Sequence, residues 1–168
     1  MKIQRTRLFL LVLAMVSVLG GSMKAAGADT WLVGDEYHDI AGITWKAGGK
    51  SCTLTAGNPV VVTVNGARML RAVNTISCDG IVDMGPFASR LDRYAPDPFS
   101  PSGPVQEKAS VGTVTASKAT AVIEISCRNA VNTSYAGYFK VMVDGNRDGV
   151  SDMGAYDYSP WNLRSCGV

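Results

Sequence analysis

The sequence predicts an all-β fold: an antiparallel β-sandwich with one short helix and two disulfides. Three observations carry that expectation. Apolar runs meet across an Asn-Gly turn, several segments alternate apolar and polar residues with a period of two, and four cysteines lie in a chain that opens with an export signal. Frequent turns and little helix suit two sheets packed face to face.

The signal comes first. "MKIQRTR" is a basic n-region, "LFLLVLAMVSVLGG" an apolar h-region, and "SMKAAGA" ends in small residues, with Ala26 and Ala28 marking cleavage after Ala28. The apolar run is short for a span of about 30 Å of hydrocarbon, so no membrane insertion is expected after residues 1–28 are removed. The chain is then secreted or periplasmic, with residues 29–168 as one β-rich domain. The signal holds four basic residues (Lys2, Arg5, Arg7, Lys24) and no acidic ones, so the remainder carries 12 Lys+Arg against 14 Asp+Glu. That mildly acidic balance offers no electrostatic footprint for nucleic acid.

Export decides what Cys52, Cys78, Cys127 and Cys166 do. An even count in an oxidising space points to disulfides. Zinc is the rival, but no C-x-x-C pair is present. Four cysteines allow three connectivities. "PVVVTV" and "ARMLRAVNTISC" flank Asn65-Gly66, the strongest short hairpin signal, because a type I′ turn needs positive φ at both central residues. Running that hairpin backwards past an interruption at Gly57-Asn58-Pro59 puts Cys52 opposite Cys78. The other bridge is then Cys127–Cys166, which ties down the C-terminal tail.

Next, "GPFASRLDRYAPDP" reads as the short helix, with Pro86 in its first turn, Phe87, Leu91 and Tyr94 on one face, and Pro96 ending it. Residues 95–104, "APDPFSPSGP", are too proline-rich for regular structure and form an exposed loop. "ASVGTVTASKATAVIEISC" reads as a second hairpin in which Ala121, Ile123 and Ile125 alternate with Val122, Glu124 and Ser126. "YFKVMV" is a strand with Phe139, Val141 and Val143 facing one way.

The stretch after it carries chemistry. Counting from Asp144, oxygen-bearing side chains fall at positions 1, 3, 5 and 9: Asp144, Asn146, Asp148 and Asp152. Gly149 stands at position 6, where a calcium loop turns sharply, and the Val150 carbonyl at 7. A hard divalent cation needs six to eight oxygens, and three carboxylates in nine residues otherwise repel one another. The competing reading is a solvated Asx/Gly turn between strands. An EF-hand is excluded, because position 12 is Ala155 and a strand precedes the loop. "DGNRDGVSDMGAYDYSPWNLRS", 22 residues from Asp144 to Ser165, resembles the calcium loop of FG-GAP/VCBS-type repeats. The resemblance implies structural calcium held by Asp144, Asn146, Asp148, Asp152 and the Val150 carbonyl. The propeller that such repeats build does not carry over to so short a chain. A fainter echo, "CDGIVDMGPF" against "RDGVSDMGAY", lacks the upstream oxygens, with Thr75 and Ser77 where Asp144 and Asn146 stand.

Catalytic signatures are sparse. His38, the single histidine, lies among Asp35, Glu36 and Asp39, and no G-x-S-x-G, H-E-x-x-H or P-loop pattern occurs. The aromatics Trp31, Tyr37, Trp45, Tyr156, Tyr158 and Trp161 serve as core or as a sugar platform, with Trp45 and Trp161 as the candidate ligand-binding pair. The sequence therefore points to a calcium-stabilised secreted binding module, associated with a surface, matrix or carbohydrate, whose partner is an extracellular protein or glycan. A protein inhibitor of a foreign enzyme, docking through residues 95–104, is the alternative. A small hydrolase dependent on His38 is the third reading.

Overall fold

The computed structural model describes residues 32–34, 42–94 and 103–168. The signal segment, Trp31, Tyr37, His38 with its acidic neighbours, and residues 95–102 of the proline-rich loop lie outside them. The described residues form ten strands: β1 (Leu32–Gly34), β2 (Ile43–Ala47), β3 (Lys50–Thr55), β4 (Val60–Val64), β5 (Ala67–Arg93), β6 (Gly103–Ser110), β7 (Val114–Ser126), β8 (Asn129–Asp144), β9 (Met153–Tyr158) and β10 (Asn162–Gly167). All belong to one compact unit, Trp31–Val168.

β5 organises the fold. Over Ala67–Cys78 it pairs with β4 and β3 along one edge and with β7 along the other. Over Asp83–Arg93 its neighbours are β8, and β7 giving way to β6. Beyond β8 lie β9 and β10, and β1 joins β9 in the one parallel pairing among the described residues. One antiparallel sheet thus folds over into two layers that share β5. Alternation along β5 explains why it is a strand: Leu70, Ala72, Asn74, Ile76, Cys78, Val82 and Met84 are buried in one phase. The phase then shifts at Gly85-Pro86, and Ser89 and Leu91 are buried in the other.

The core fills the space between the layers. Trp45, Leu54, Ile76, Val82 and Met84 meet Phe139, Val141, Val143 and Ala155. A second cluster joins Leu70, Ile123, Leu91, Tyr135 and Cys166. At about 25 cal/mol per Å² of apolar surface, such burial is the main term that opposes chain entropy. Two buried polar side chains bridge the layers. Asn74 donates to Ser89 Oγ (3.2 Å) and accepts from Gly57 N (2.8 Å). Asp157 Oδ2, on β9, accepts from Gly42 N (3.0 Å) and Ala56 N (2.7 Å), which flank β2 and β3.

The turn and cysteine expectations hold. Asn65 (φ 49°) and Gly66 (φ 81°) turn the chain from β4 into β5, with Val64 opposite Ala67. Cys52 faces Cys78 in register and is bonded to it, and Cys127 is bonded to Cys166. Two expectations need correction. The helix from Pro86 is instead the last part of β5. Phe87, Leu91 and Tyr94 have helical spacing, but Phe87, Ser89 and Leu91 also alternate, and flanking strands β6 and β8 supply ladder partners that an isolated helix lacks. The second hairpin is absent too. β6 and β7 do not pair with each other but run in one direction along the same edge of β5, Ser110 opposite Phe87 and Val114 opposite Met84. The break between them sits where Gly85 (φ +134°) lies against the Gly112 carbonyl, an approach that leaves no room for a Cβ. The "CDGIVDMGPF" echo lies wholly within β5 and forms no second loop.

Candidate functional site

The acidic loop occupies residues 145–152, between the end of β8 and the start of β9. β8 and β9 are an antiparallel pair with Val143 opposite Met153, so both ends of the loop are fixed by the sheet. Asp144, 6% exposed, anchors it. Its Oδ1 accepts from Arg147 N (2.6 Å) and Asp148 N (3.2 Å), and its Oδ2 from Gly149 N (2.7 Å). Asn146 Oδ1 accepts from Asp148 N (3.2 Å), while its amide donates to Asp148 Oδ2 (3.2 Å). Asp148 Oδ1 accepts from Val150 N (2.9 Å), and Asp152 Oδ2 from Gly145 N (2.7 Å). Arg147 reaches back to Asp83, 3.5 Å away, directly opposite Asp144 in register.

The β2–β3 turn closes over this loop. A Cβ on Gly48 would come within 2.5 Å of Asp152 Oδ2 and Asn146 N, and one on Gly145 would strike the Ala47 carbonyl. The predicted ligands are thus brought into one tight loop. Among the described residues, however, no three acidic, histidine or cysteine side chains converge as a metal cage. The oxygens accept the loop's own N–H groups instead. The loop has the hydrogen bonding of an Asx turn, and its carboxylate oxygens, with two lone pairs each, keep acceptor capacity beyond these bonds.

The two candidate tryptophans have different surroundings. Trp45 is a core residue, 6% exposed, with Nε1 lacking a hydrogen-bond partner among the described residues. Trp161 is 38% exposed and stands edge-on to Tyr94, 48% exposed, with ring centroids 5.7 Å apart. Beside this pair, the Asn162 amide donates to Asn58 Oδ1 (3.1 Å) and to the Pro160 carbonyl (2.6 Å), and Arg164 donates to the Pro59 carbonyl. Tyr94 as Trp161's neighbour was not legible in sequence, because the two meet only through the pairing of β5, β8 and β10.

A second aromatic group covers the outer face of the β5–β8–β9 layer. Arg90 and Tyr138 are cross-strand partners, as are Tyr138 and Tyr158. The guanidinium lies 4.5 Å from the Tyr138 centroid and 5.6 Å from that of Tyr158. It also donates to Tyr158 Oη (2.6 Å) and pairs with Asp92 at 2.7 Å. Burial, followed by the neighbouring Tyr158, pushes the Tyr138 hydroxyl up to about 12. These groups pack on one another as a patch, within which Arg90 Nε and Asp92 Oδ1 form an ion pair but no hydrogen bond. Alternation of Tyr138 and Lys140 with Phe139 and Val141 signalled an outward face, but only the register reveals Arg90 above it.

No family model, curated protein or solved structure matches this chain.

Proposed function

We propose that this protein is a secreted, non-catalytic binding module that recognises an extracellular glycan through Trp161 and Tyr94, with calcium stabilising the loop 144–152. The observation that carries the reading is the exposed aromatic pair, its rings 5.7 Å apart, beside the amide of Asn162. Aromatic faces flanked by amides suit the alternating C–H and hydroxyl surfaces of a sugar. Two disulfides among the described residues are consistent with an oxidising compartment. For calcium, the support is the oxygen spacing of Asp144, Asn146, Asp148, the Val150 carbonyl and Asp152 and the resemblance to the FG-GAP/VCBS loop. Their role would be to hold the β8–β9 connection.

The test is binding to a panel of soluble polysaccharides by calorimetry, with calcium and with a chelator. Wild-type protein is expected to bind at least one glycan, Trp161→Ala to lose that binding while keeping its melting temperature, and Asp148→Ala to lose a calcium-dependent rise in melting temperature. No binding across the panel overturns the glycan reading. An identical melting temperature with calcium and chelator overturns the calcium reading.

A specific observation favours the inhibitor as second reading. In the segment 95–104, Gly103 and Pro104 belong to β6 and not to a loop, with Gly103 opposite Arg93 and Pro104 opposite Asp92. The sheet thus fixes the chain on either side of residues 95–102. Stoichiometric inhibition of a protease that survives Trp161→Ala identifies that function instead.

A further inference from the structure

We propose that β7 is the edge through which two copies of this chain join, forming a two-fold dimer with a continuous sheet. The inference rests on the fold and is independent of the glycan reading. β7 pairs with β5 on one side, no described strand pairs with its other edge, and there Gln106–Lys108 of β6 stand across a groove from Val122–Glu124. An unpaired strand presents a row of N–H and C=O groups, and proteins usually blunt such edges with short length, proline, bulges or dense charge. β7 is long, lacks proline and is sparsely charged, and the one register shift in its ladder, between Ser77 and Val82, puts the extra residues on β5. It runs 13 residues, "VTASKATAVIEIS", without proline or glycine and with only Lys118 and Glu124 charged.

Those two charges identify the occupant. If β7 pairs antiparallel with itself about Ala121, Lys118 falls opposite Glu124 of the second copy, and Glu124 opposite Lys118. Thr120 then faces Val122 of the second copy, and the reverse. The edge is therefore self-complementary in charge and places β-branched residues opposite one another, the pairs that stabilise a ladder. Glu124 suits this role because both Arg71 contacts, 2.8 Å each, fall on its Oε2. The charge row across the junction then reads Arg71, Glu124, Lys118 of the second copy. Apolar surface supports the same edge. Val122 is 41% exposed beside its cross-strand partner Val73, 44% exposed. The edge also forms the rim of a groove of about 310 Å³ between β6 and β7, lined by Phe87, Ala109, Ala121 and Val122, whose mouth the second copy closes.

The experiment is the molar mass of the oxidised, full-length product by size-exclusion chromatography with light scattering, from micromolar concentration upward. Wild type is expected at twice the chain mass. Lys118→Glu sets glutamate against glutamate and Glu124→Lys lysine against lysine, so each alone is expected at one chain mass. Mixed in equal amounts, the two variants pair opposite charges at both positions and are expected to return to twice the mass. Circular dichroism checks that each variant is folded. If Glu124→Lys fails to fold beside Arg71, the order wild type, Lys118→Gln, Lys118→Glu in decreasing dimer fraction decides the question. A monomeric wild type overturns the proposal, whether or not another chain binds that edge. So does a Lys118→Glu protein that stays dimeric, or a folded mixture that stays monomeric.

Discussion

Replacing Asp157 by Ala tests how the two layers are held together. The carboxylate is fully buried, and its Oδ2 accepts the amide hydrogens of Gly42 and Ala56 from the opposite layer. Alanine leaves both donors without this acceptor, and Ala56, 2% exposed, is closed to water. A hydrogen bond to a charged acceptor contributes about 1.5–3 kcal/mol, and an orphaned buried donor costs a similar amount. Two bonds therefore set the expected loss at about 3–6 kcal/mol, a large part of the roughly 5–15 kcal/mol that keeps a domain folded. The Asp157→Asn control keeps one acceptor oxygen for the two N–H groups while losing the charge and placing an NH2 where the other oxygen stood. It should therefore cost less than Ala, about 1–3 kcal/mol. Equilibrium unfolding in guanidinium chloride, with both bridges intact, measures each loss as a shift in midpoint at constant slope. The reasoning fails if Asp157→Ala costs less than about 1 kcal/mol, or if Asn is as damaging as Ala.

Two further outcomes follow from the bridges and the tyrosines. Removing the Cys127–Cys166 bridge, which spans 39 residues, should cost about 4 kcal/mol on the chain-entropy account, and removing Cys52–Cys78, spanning 26, about 3.5 kcal/mol; paired Cys→Ala variants in the same unfolding assay measure both. Because the folded state holds the Tyr138 proton up to about 12, above the ordinary value near 10, its contribution to stability is fully present below pH 10 and is lost as pH rises through 12. Stability measured across that window should fall less steeply in Tyr138→Phe.

Local rules read much of this molecule correctly, for identifiable reasons. Asn65-Gly66 acts through its own dihedral preference, and it fixed the register that brought Cys52 opposite Cys78. Phe139, Val141 and Val143 alternate because one face of β8 meets the core. The errors arose where local pattern is ambiguous and distant pairing decides. Phe87 and Leu91 fit two periods, and the choice was made by β6 and β8, whose partners for this stretch lie 15 to 54 residues further along. Likewise, "SVGT" between β6 and β7 looks like a turn that reverses the chain, yet both strands add to one edge of β5. At the loop, oxygen spacing was legible, whereas the hydrogen bonds that those oxygens accept depend on the conformation the loop adopts under the β2–β3 turn.

The length of β5 has a consequence for cooperativity and inheritance. A strand of 27 residues that belongs to both layers denies either layer an independent existence, because separating them means tearing its ladder from partners on both edges. The molecule should therefore melt as one unit, with its slowest-exchanging amides in β5 where flanking strands cover both sides. For the same reason no half of this fold can be excised, duplicated or exchanged as a module. A recombination breakpoint within β5 destroys both layers at once, so the domain can be passed on only whole.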